Sequence, residues 1–246
     1  NASLAQRLLS HDATLSWTNG AWASKVRTLQ WQTLQDDSDP ITPPYDRWPQ
    51  LSTRYTRNSA NGLEMVLDAD YTRFKSDSKL TGQPNAERTF ARVQASRVYQ
   101  TAAGYLTPKV QLHATSYQFD APLTDGAMSA SRVVPTLSVD SGVVFERDTQ
   151  LFGRALRQTL EPRAFYVNTP WRDQGLLPNY DSGAIDFNLA TIYSENAFVG
   201  NDRISDSNLL TLGVTSRFLD PINGAESARV GLAQRLRFRD QNVALP

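Results

Sequence analysis

The chain has 246 residues, and its 25 basic and 25 acidic residues cancel, so its net charge does not indicate a nucleic-acid or acidic partner. The sequence contains no cysteine, which excludes thiol catalysis, thiolate metal sites and disulfides from these residues. No apolar run approaches the ~20 residues that a membrane-spanning helix needs. The mean hydropathy of −0.45 is usual for a soluble protein, but transmembrane barrels share such averages because their apolar and polar residues alternate.

Long β-strands are predicted along nearly the whole chain, from alternating apolar and polar residues. The predicted strands lie near residues 12–18, 22–35, 48–58, 63–75, 88–100, 105–119, 132–147, 154–167, 208–219 and 226–238. The alternation is poorest in the second and third of these. We expect an all-β fold in which about ten antiparallel strands meander.

The last two predicted strands show the two faces of this sheet most clearly. The apolar positions are Leu210, Leu212, Val214 and Phe218 in one strand and Val230, Leu232, Leu236 and Phe238 in the next. The positions between them are polar, small or charged, as Thr211 and Arg217 show. In a membrane barrel the apolar face contacts lipid, whereas in a soluble sheet it covers a core. We expect the first arrangement, with these eight side chains on the convex face of an open arc.

The connections between the predicted strands alternate in length. The short ones are 18–21, 58–62, 101–104, 148–153 and 220–225, and the long ones are 36–47, 76–87, 120–131 and 168–207. In an antiparallel meander this alternation places all the long connections at one end of the sheet. Outer-membrane barrels have short periplasmic turns and long extracellular loops, whereas a soluble sandwich has no reason to separate its loops in this way. The pattern therefore favours a transmembrane β-barrel.

Tryptophans and prolines add two further expectations. The tryptophans, Trp17, Trp22, Trp31, Trp48 and Trp171, fall at or near predicted strand ends, where aromatic girdles form at membrane interfaces. Scattered core tryptophans are the alternative. Pro108, Pro135 and Pro162 recur at equal spacing within predicted strands. Because proline cannot donate to the ladder, we expect β-bulges there.

Residues for catalysis or metal binding are sparse. The two histidines are His11 and His113, and Ser116, three residues from His113, would point to the opposite face of the same strand. The segment QDDSDP, with Asp36, Asp37 and Asp39, has oxygen ligands for a divalent cation, but a solvated loop is the simpler interpretation. The sequence therefore predicts neither an enzyme nor a cofactor or metal site.

Several motifs are specific in combination, and they lie mainly in the second half of the chain. They are FERD at 145–148, TLEPRAFY at 159–166, PWRDQ at 170–174, NYDS at 179–182 and DRISDSNLLTLGVTSR at 202–217. The segments RVVPTLSVDSG and QLHATSYQ, which precede them, fit the same pattern. Together these segments resemble the lipopolysaccharide-assembly outer-membrane protein family, LptD. Residues 1–100 fit this family only as generic barrel strands.

The resemblance implies a translocon that inserts lipopolysaccharide into the outer leaflet of the outer membrane of a Gram-negative bacterium. Members of the family surround a plug lipoprotein, LptE, and receive lipopolysaccharide from a periplasmic bridge through an N-terminal jelly-roll domain. We expect residues 1–246 to be a fragment of one barrel domain, without the jelly roll or the terminal barrel strands. The family's paired cysteines would lie beyond Pro246. The expected partners are lipopolysaccharide, the plug, the bridge and outer-membrane lipids, with no nucleic acid.

Charged residues on the polar face are the candidates for a lumen lining. They are Glu161, Arg163, Arg217, Arg229, Arg235 and Arg237. Arginine suits phosphate through its planar guanidinium, although ordinary lumen-lining charge is the simpler interpretation. We expect Glu161 and Arg163 to hold the long extracellular loop, about 168–207, against the inner wall. A short helical piece is predicted within it, around 186–195.

Three other functions remain open from the sequence. A passive porin or diffusion channel would share the barrel but have neither plug nor lateral exit. An outer-membrane phospholipase or protease would need a histidine paired with serine or aspartate at the rim, and neither histidine has a convincing partner. A soluble solenoid or sandwich that binds a partner is the last alternative.

Overall fold

A computed structural model describes residues 7–34, 41–151 and 153–246 of the chain. Asp36, Asp37 and Asp39 lie outside the described residues, so the predicted loop or cation site there is not tested. Within the described residues the chain forms fourteen strands and one short helix. Their order is β1 (Leu8–Asn19), β2 (Trp22–Thr33), β3 (Asp46–Asn58), β4 (Leu63–Lys75), α1 (Ser78–Thr81), β5 (Ala86–Arg97), β6 (Tyr99–Gln100), β7 (Gly104–Phe119), β8 (Ser129–Val143), β9 (Phe145–Leu151), β10 (Arg154–Thr169), β11 (Gly183–Ala184), β12 (Phe198–Val199), β13 (Ser207–Leu219) and β14 (Glu226–Arg237).

One antiparallel sheet contains all of the long strands. Its order is β1-β2-β3-β4-β5-β7-β8-β10-β13-β14, with β6 beside β7 and β9 beside β10. Sequence order and spatial order agree, as in a meander, and β1 and β14 are the two ends of this path. The predicted all-β, antiparallel, open arc is confirmed.

The connections alternate in length as predicted. The short ones are 20–21, 59–62, 101–103, 152–153 and 220–225, and the long ones are 34–45, 76–85, 120–128 and 170–206. Since consecutive strands are antiparallel neighbours, the long connections share one end of the sheet. The longest of them contains the small hairpin of β11 and β12.

Three predicted elements differ from the structure. The strand predicted at 132–147 is divided into β8 and β9, which pair with different halves of β10 in one continuous register. The strand predicted at 88–100 is divided likewise into β5 and β6, which both pair with β7. The helix predicted around 186–195 is wrong: these residues form successive turns, with Ile192 donating to the Asn188 carbonyl at 2.9 Å. The Asn188 side chain accepts from the backbone of Ala190 and Thr191, as a helix cap does, but the turn does not continue as a helix.

The three prolines keep their register with one neighbour, so the bulges predicted at them are wrong. Pro108 pairs with Val139, Pro135 with Leu112 and Pro162 with Val214, as the register of each strand pair shows. On the other side of each proline the neighbouring ladder is interrupted or finished. Pro108 lies opposite the break between β5 and β6, Pro162 lies opposite the break between β8 and β9, and Pro135 lies beyond the end of the β8–β10 ladder. A residue without an N–H is tolerated where a ladder partner is missing.

The two faces of the sheet have opposite character. One face bears the 170–206 connection, and we call it the loop face; we call the other the open face. On β13 and β14 the eight predicted apolar residues all share the open face, because Leu210 pairs with Leu236 and Val214 with Leu232. Val230 is 67% exposed and Leu232 is 73% exposed, so this face covers no core.

Buried apolar side chains lie instead between the loop face and the connection folded over it. One cluster contains Tyr45, Phe74, Ala86, Tyr117, Phe119 and Tyr180. A second contains Phe165, Val167 and Leu209, with Tyr193 against it. Among the described residues, no helix has the length and apolar character to cross a membrane.

Candidate functional site

Residues 170–206, which we call the docked loop, leave β10 and return along the loop face to β13. The loop meets the sheet through charged and aromatic side chains rather than through a continuous apolar layer. Three groups of contacts fix its position: one on β4, β5, β7 and β8, a second on β7 and β8, and a third on β10, β13 and β14.

Arg88 on β5 is the centre of the first group. Its side chain is 0% exposed and its guanidinium contacts three carboxylates: Asp181 at 2.7 Å, Asp202 at 2.8 Å and Asp70 at 3.4 Å. Asp181 and Asp202 belong to the docked loop, and Asp70 belongs to β4. A buried charge is stable only when it is paired and hydrogen-bonded. Arg88 therefore ties the loop to the wall through the loop's own acids.

Asp202 receives hydrogen bonds from several further donors. The Tyr117 hydroxyl donates to Oδ1 at 2.8 Å, and the backbone N–H groups of Tyr180 and Asp181 donate to Oδ2 at 2.7 and 2.8 Å. Together with Arg88, these donors satisfy both oxygens of a fully buried carboxylate. The loop segments at residues 180–181 and at Asp202 are thereby fixed to each other as well as to the sheet.

Arg132 on β8 binds the same segment through backbone oxygens. It donates to the Asn201 carbonyl at 2.5 Å, and also to the Asp202 carbonyl and the Gln174 side chain. Its side chain is buried. Two arginines on separate strands thus hold consecutive loop residues.

Aromatic rings close this group on the side nearest the strand ends. Tyr180 stacks on Phe74 with ring centroids 4.7 Å apart and an angle of 10° between the planes. The Arg88 guanidinium lies 4.8 Å from the centre of the Phe74 ring. Aromatic stacking and cation–π contact add to the charge pairing.

The second group of contacts centres on Glu195 of the docked loop. Its carboxylate lies 3.2 Å from the Lys109 ammonium, accepts from the Ser138 hydroxyl at 2.5 Å and also accepts from Gln111. These partners come from β7 and β8. Glu195 is therefore the loop's acidic contact with the middle of the wall.

The third group includes two of the predicted residues, Glu161 and Arg163. Glu161 pairs with Arg217 of the neighbouring strand at 2.6 Å, as expected from their shared face. Arg163 pairs with Asp140 at 2.6 Å and lies 4.0 Å from the ring centre of Tyr193 in the docked loop. Arg163 thus contacts the loop directly, whereas Glu161 stabilises the strand beside it.

Tyr193 also requires a glycine beneath it. Gly213 pairs with Arg163 across the β10–β13 ladder, and a Cβ atom at Gly213 would overlap the Tyr193 hydroxyl. The ring therefore reaches the sheet only because residue 213 has no side chain.

The remaining predicted residues lie on β14 and differ in their contacts. Arg235 donates to the carbonyl of Ile192 and lies 5.3 Å from the ring centre of Phe187, both in the docked loop. Arg229 instead pairs with Glu226 at 2.7 Å on its own strand. Arg237 donates to Gln241 at 3.3 Å. Of the six predicted residues, Arg163 and Arg235 contact the docked loop, and all six share the loop face by register.

Arg88 and Arg132, which make the most buried contacts, were not among the predicted residues. Arg88 and its partner Asp202 are 114 residues apart in sequence, so no local pattern joins them. A weak indication existed: both arginines occupy polar-face positions of their strands, and Asp202 begins the motif DRISD.

The charges of the docked loop are strongly affected by burial and pairing. Burial alone would raise the pKa of Asp181, but the hydrogen bond and the positive charge of Arg88 lower it to about 2. Burial raises the pKa of Asp202, and the nearby Asp181 carboxylate adds to this effect, while Arg88 opposes both. Arg88 therefore keeps Asp181 ionised over a wide pH range.

His113 occupies the loop face, as predicted, with Ser116 on the opposite face of β7. Its nearest ring neighbour is Phe90, with ring centroids 6.2 Å apart. Within residues 7–34, 41–151 and 153–246, no group of three or more His, Cys, Asp or Glu side chains is placed to hold a metal ion.

The model of a known protein family, LptD, described as LPS transport system D, matches residues 2–246. The chain belongs to the LptD family. The match includes residues 2–100, where the sequence motifs alone were generic. The description of this family names transport and no catalytic activity.

Curated relatives carry the same family name. The LPS-assembly protein LptD of Albidiferax ferrireducens is 69% identical over 243 residues, which cover 99% of this chain and 30% of the relative. That of Polaromonas sp. is 64% identical over 250 residues, with 99% and 30% coverage. That of Ralstonia nicotianae is 42% identical over 245 residues, with 98% and 30% coverage. The chain therefore spans about 30% of the length of these LptD relatives, and none of the three is named as a porin.

Proposed function

We propose that this chain is an interior arc of an outer-membrane β-barrel that transports lipopolysaccharide and inserts it into the outer leaflet. The observation that carries the proposal is the contrast between the two faces of one sheet. Large apolar side chains such as Leu232 are exposed on the open face, whereas most charged residues of the strands, such as Arg163 and Arg217, lie on the loop face. Lipid would cover the first face and water would fill the space beside the second.

The six charged residues singled out in the sequence are proposed to line the lumen. A lipid-facing arginine near the bilayer midplane costs ~2–4 kcal/mol, and five of these six residues are arginines. Their common side of the sheet supports the assignment, since moving any strand by one residue would place its arginines in lipid. In this arrangement the docked loop lies inside the barrel wall, at the end with long connections, which corresponds to the extracellular side.

The partners of the full-length protein are proposed from the family. They are lipopolysaccharide as the substrate, a plug lipoprotein of the LptE type inside the barrel, and a periplasmic bridge that delivers lipopolysaccharide through an N-terminal jelly roll. Outer-membrane lipids would surround the open face. We also propose that residues 1–246 belong to one barrel domain and that no metal, cofactor or nucleic acid takes part.

Photo-cross-linking in cells tests the proposed function. A photoreactive amino acid replaces Thr215 on the loop face of the full-length protein, or Val214 beside it on the open face. Since the two residues are adjacent and face opposite sides, they form a matched pair. We expect lipopolysaccharide adducts at position 215, and adducts with outer-membrane lipids, including inserted lipopolysaccharide, at position 214. Adducts at 214 alone, or at neither position while export continues, would contradict the proposal.

A further inference from the structure

A polar groove lies on the loop face near the β1 end of the sheet, away from the six residues discussed above. Its volume is about 500 Å³, and its lining includes Lys25, Arg54, Asp68 and Arg92, together with Asn201 of the docked loop. This volume is within the ~300–1,000 Å³ of ligand pockets.

The charged residues of the groove form an aligned row across adjacent strands. Arg54 on β3 pairs in register with Asp68 on β4, and Asp68 pairs with Arg92 on β5. The row continues to His113 on β7. Directly opposed residues of antiparallel strands lie on the same face, so both guanidiniums and the carboxylate between them face the groove.

Positive charge is in excess at this row. Asp68 accepts from Arg54 at 2.6 Å and from Arg92 at 2.6 Å, so one carboxylate serves two arginines. Lys25 lines the same groove, and within the described part of the chain it has no carboxylate partner within ion-pair distance. Asp70 also lines the groove, but it pairs with Arg88 at 3.4 Å and accepts from Thr72 at 2.7 Å. Three cations of the lining therefore face two carboxylates, and of the two only Asp68 pairs with these cations.

The exposure of these side chains suits a mobile ligand. Arg54 is 57% exposed at its side chain and Arg92 is 30% exposed, unlike the fully buried Arg88. A guanidinium of this kind presents N–H groups to phosphate in a planar fork. Asp68 lies between the guanidiniums of Arg54 and Arg92. A phosphate group in the groove would accept hydrogen bonds from the same two guanidiniums.

We propose that Lys25, Arg54 and Arg92 form an anion subsite that binds the phosphate groups of a glycolipid headgroup passing along the loop face. The proposal rests on the proposed function and adds to it the ligand chemistry and the residues of one subsite. Asp68 orders the two arginines and limits the affinity, so that a phosphorylated ligand is bound and then released.

Binding measurements on the purified full-length protein test this subsite. The probes are phosphorylated lipopolysaccharide, the same lipopolysaccharide after removal of its phosphates, and inorganic pyrophosphate. The variants are Lys25→Gln with Arg54→Gln, and Asp68→Asn. The control is Arg57→Gln, which removes the same charge from an exposed residue of the same strand, on the open face.

We expect the double variant to bind phosphorylated lipopolysaccharide roughly tenfold more weakly, since each lost contact is a charge-assisted hydrogen bond. Asp68→Asn should bind it several-fold more tightly, because it frees two guanidiniums. Arg57→Gln should bind as the unmodified protein does. The dephosphorylated probe should show no difference among these proteins. Thermal unfolding of each variant separates a lost contact from a lost fold, and the increase with Asp68→Asn cannot arise from misfolding.

The outcomes separate the subsite from the function. If the unmodified protein binds no lipopolysaccharide, the proposed function fails. If it binds and all variants bind equally, the subsite is wrong while the function stands. Equal weakening with the dephosphorylated probe would show that the groove does not recognise phosphate. Pyrophosphate bound as tightly as lipopolysaccharide would make the groove a free-phosphate site, which overturns the lipid headgroup as its ligand.

Discussion

Arg88 is a fully buried cation whose three carboxylate partners come from β4 and from two separated parts of the docked loop. Pairing in such a place offsets the desolvation of the charges, so its net contribution to stability is modest while the pair is complete. Removing one partner has a much larger effect, because the other charges stay buried and unpaired. Arg88 therefore determines whether the loop is docked more than it determines whether the sheet forms.

Replacement of Arg88 by glutamine should release the docked loop. Asp181 and Asp202 would lose their cation, and we expect the docked state to be destabilised by ~3–5 kcal/mol. Hydrogen exchange in the full-length protein measures this as faster exchange at residues 180–182 and 200–204. Arg229→Gln is the control, because the exposed Arg229–Glu226 pair contributes ~0–1 kcal/mol. Unchanged exchange in Arg88→Gln would contradict the role given to Arg88.

The docked loop should also loosen at low pH. The folded-state pKa of Asp181, about 2, is below the ~3.9 of an unperturbed aspartate. The stabilisation is therefore complete above about pH 4 and is lost as the pH falls towards 2. Asp202 has a raised pKa, so its protonation favours the docked state as the pH falls and partly offsets this loss. Limited proteolysis of the loop across this range should show the net change, and Asp181→Asn should remove the loss that Asp181 causes.

At the scale of elements, the docked loop and β10 act together. Arg163 holds Tyr193 from below, and Gly213 beside it leaves room for the ring.

The strands and their faces could be predicted from the sequence because alternation with a period of two is a local property. The contacts of Arg88 and Arg132 could not, because they depend on how a 170–206 connection folds back on strands far away in sequence. The helix expected near 186–195 failed for the same reason: contacts of Glu195 and Ile192 with the wall replace further helical turns.

Arg163→Glu should detach the 192–195 part of the loop. The variant removes the cation beneath Tyr193 and places a carboxylate beside Asp140, its former partner. In the full-length protein we expect faster hydrogen exchange at these residues and impaired lipopolysaccharide export. Ala164→Val, one residue away on the open face, is the control and should be tolerated. Normal export by a stably folded Arg163→Glu protein would refute a functional role of this contact.

Gly213→Ala tests the same contact without changing any charge. The added methyl group would overlap the Tyr193 hydroxyl, so the ring must leave its place while Arg163 keeps its pair with Asp140. We expect a change in exchange at 192–195 that resembles that of Arg163→Glu, with barrel folding retained. Gly231→Ala on the neighbouring strand, where the nearest atom lies at 3.3 Å, is the matched control. Equal hydrogen exchange at residues 192–195 in the two alanine variants would mean that the position of the Tyr193 ring does not require a glycine at 213.

For the whole molecule, the proposed lumen lining and the proposed anion subsite both depend on which face of the sheet contacts water and which contacts lipid. Because residues 1–246 contain no cysteine, an introduced cysteine is the single thiol in this part of the protein. Arg163→Cys on the loop face should react with a small membrane-impermeant thiol reagent, and Leu232→Cys on the open face should react with a lipid-soluble one. The reverse result would mean that the facing of these strands is off by one residue.

The docked loop also has a mechanical consequence for the sheet beneath it. A single β-sheet can bend along its length. A sheet that is attached at several points to a second layer bends less, because bending would break those contacts. The loop contacts strands from β4 to β14, for example through Phe74 at one side and Arg235 at the other. We therefore expect the loop to restrict bending of the strands between β4 and β14. If the barrel changes shape while a lipid moves through it, we expect the strands that the docked loop does not contact, such as the β1–β2 hairpin, to move most.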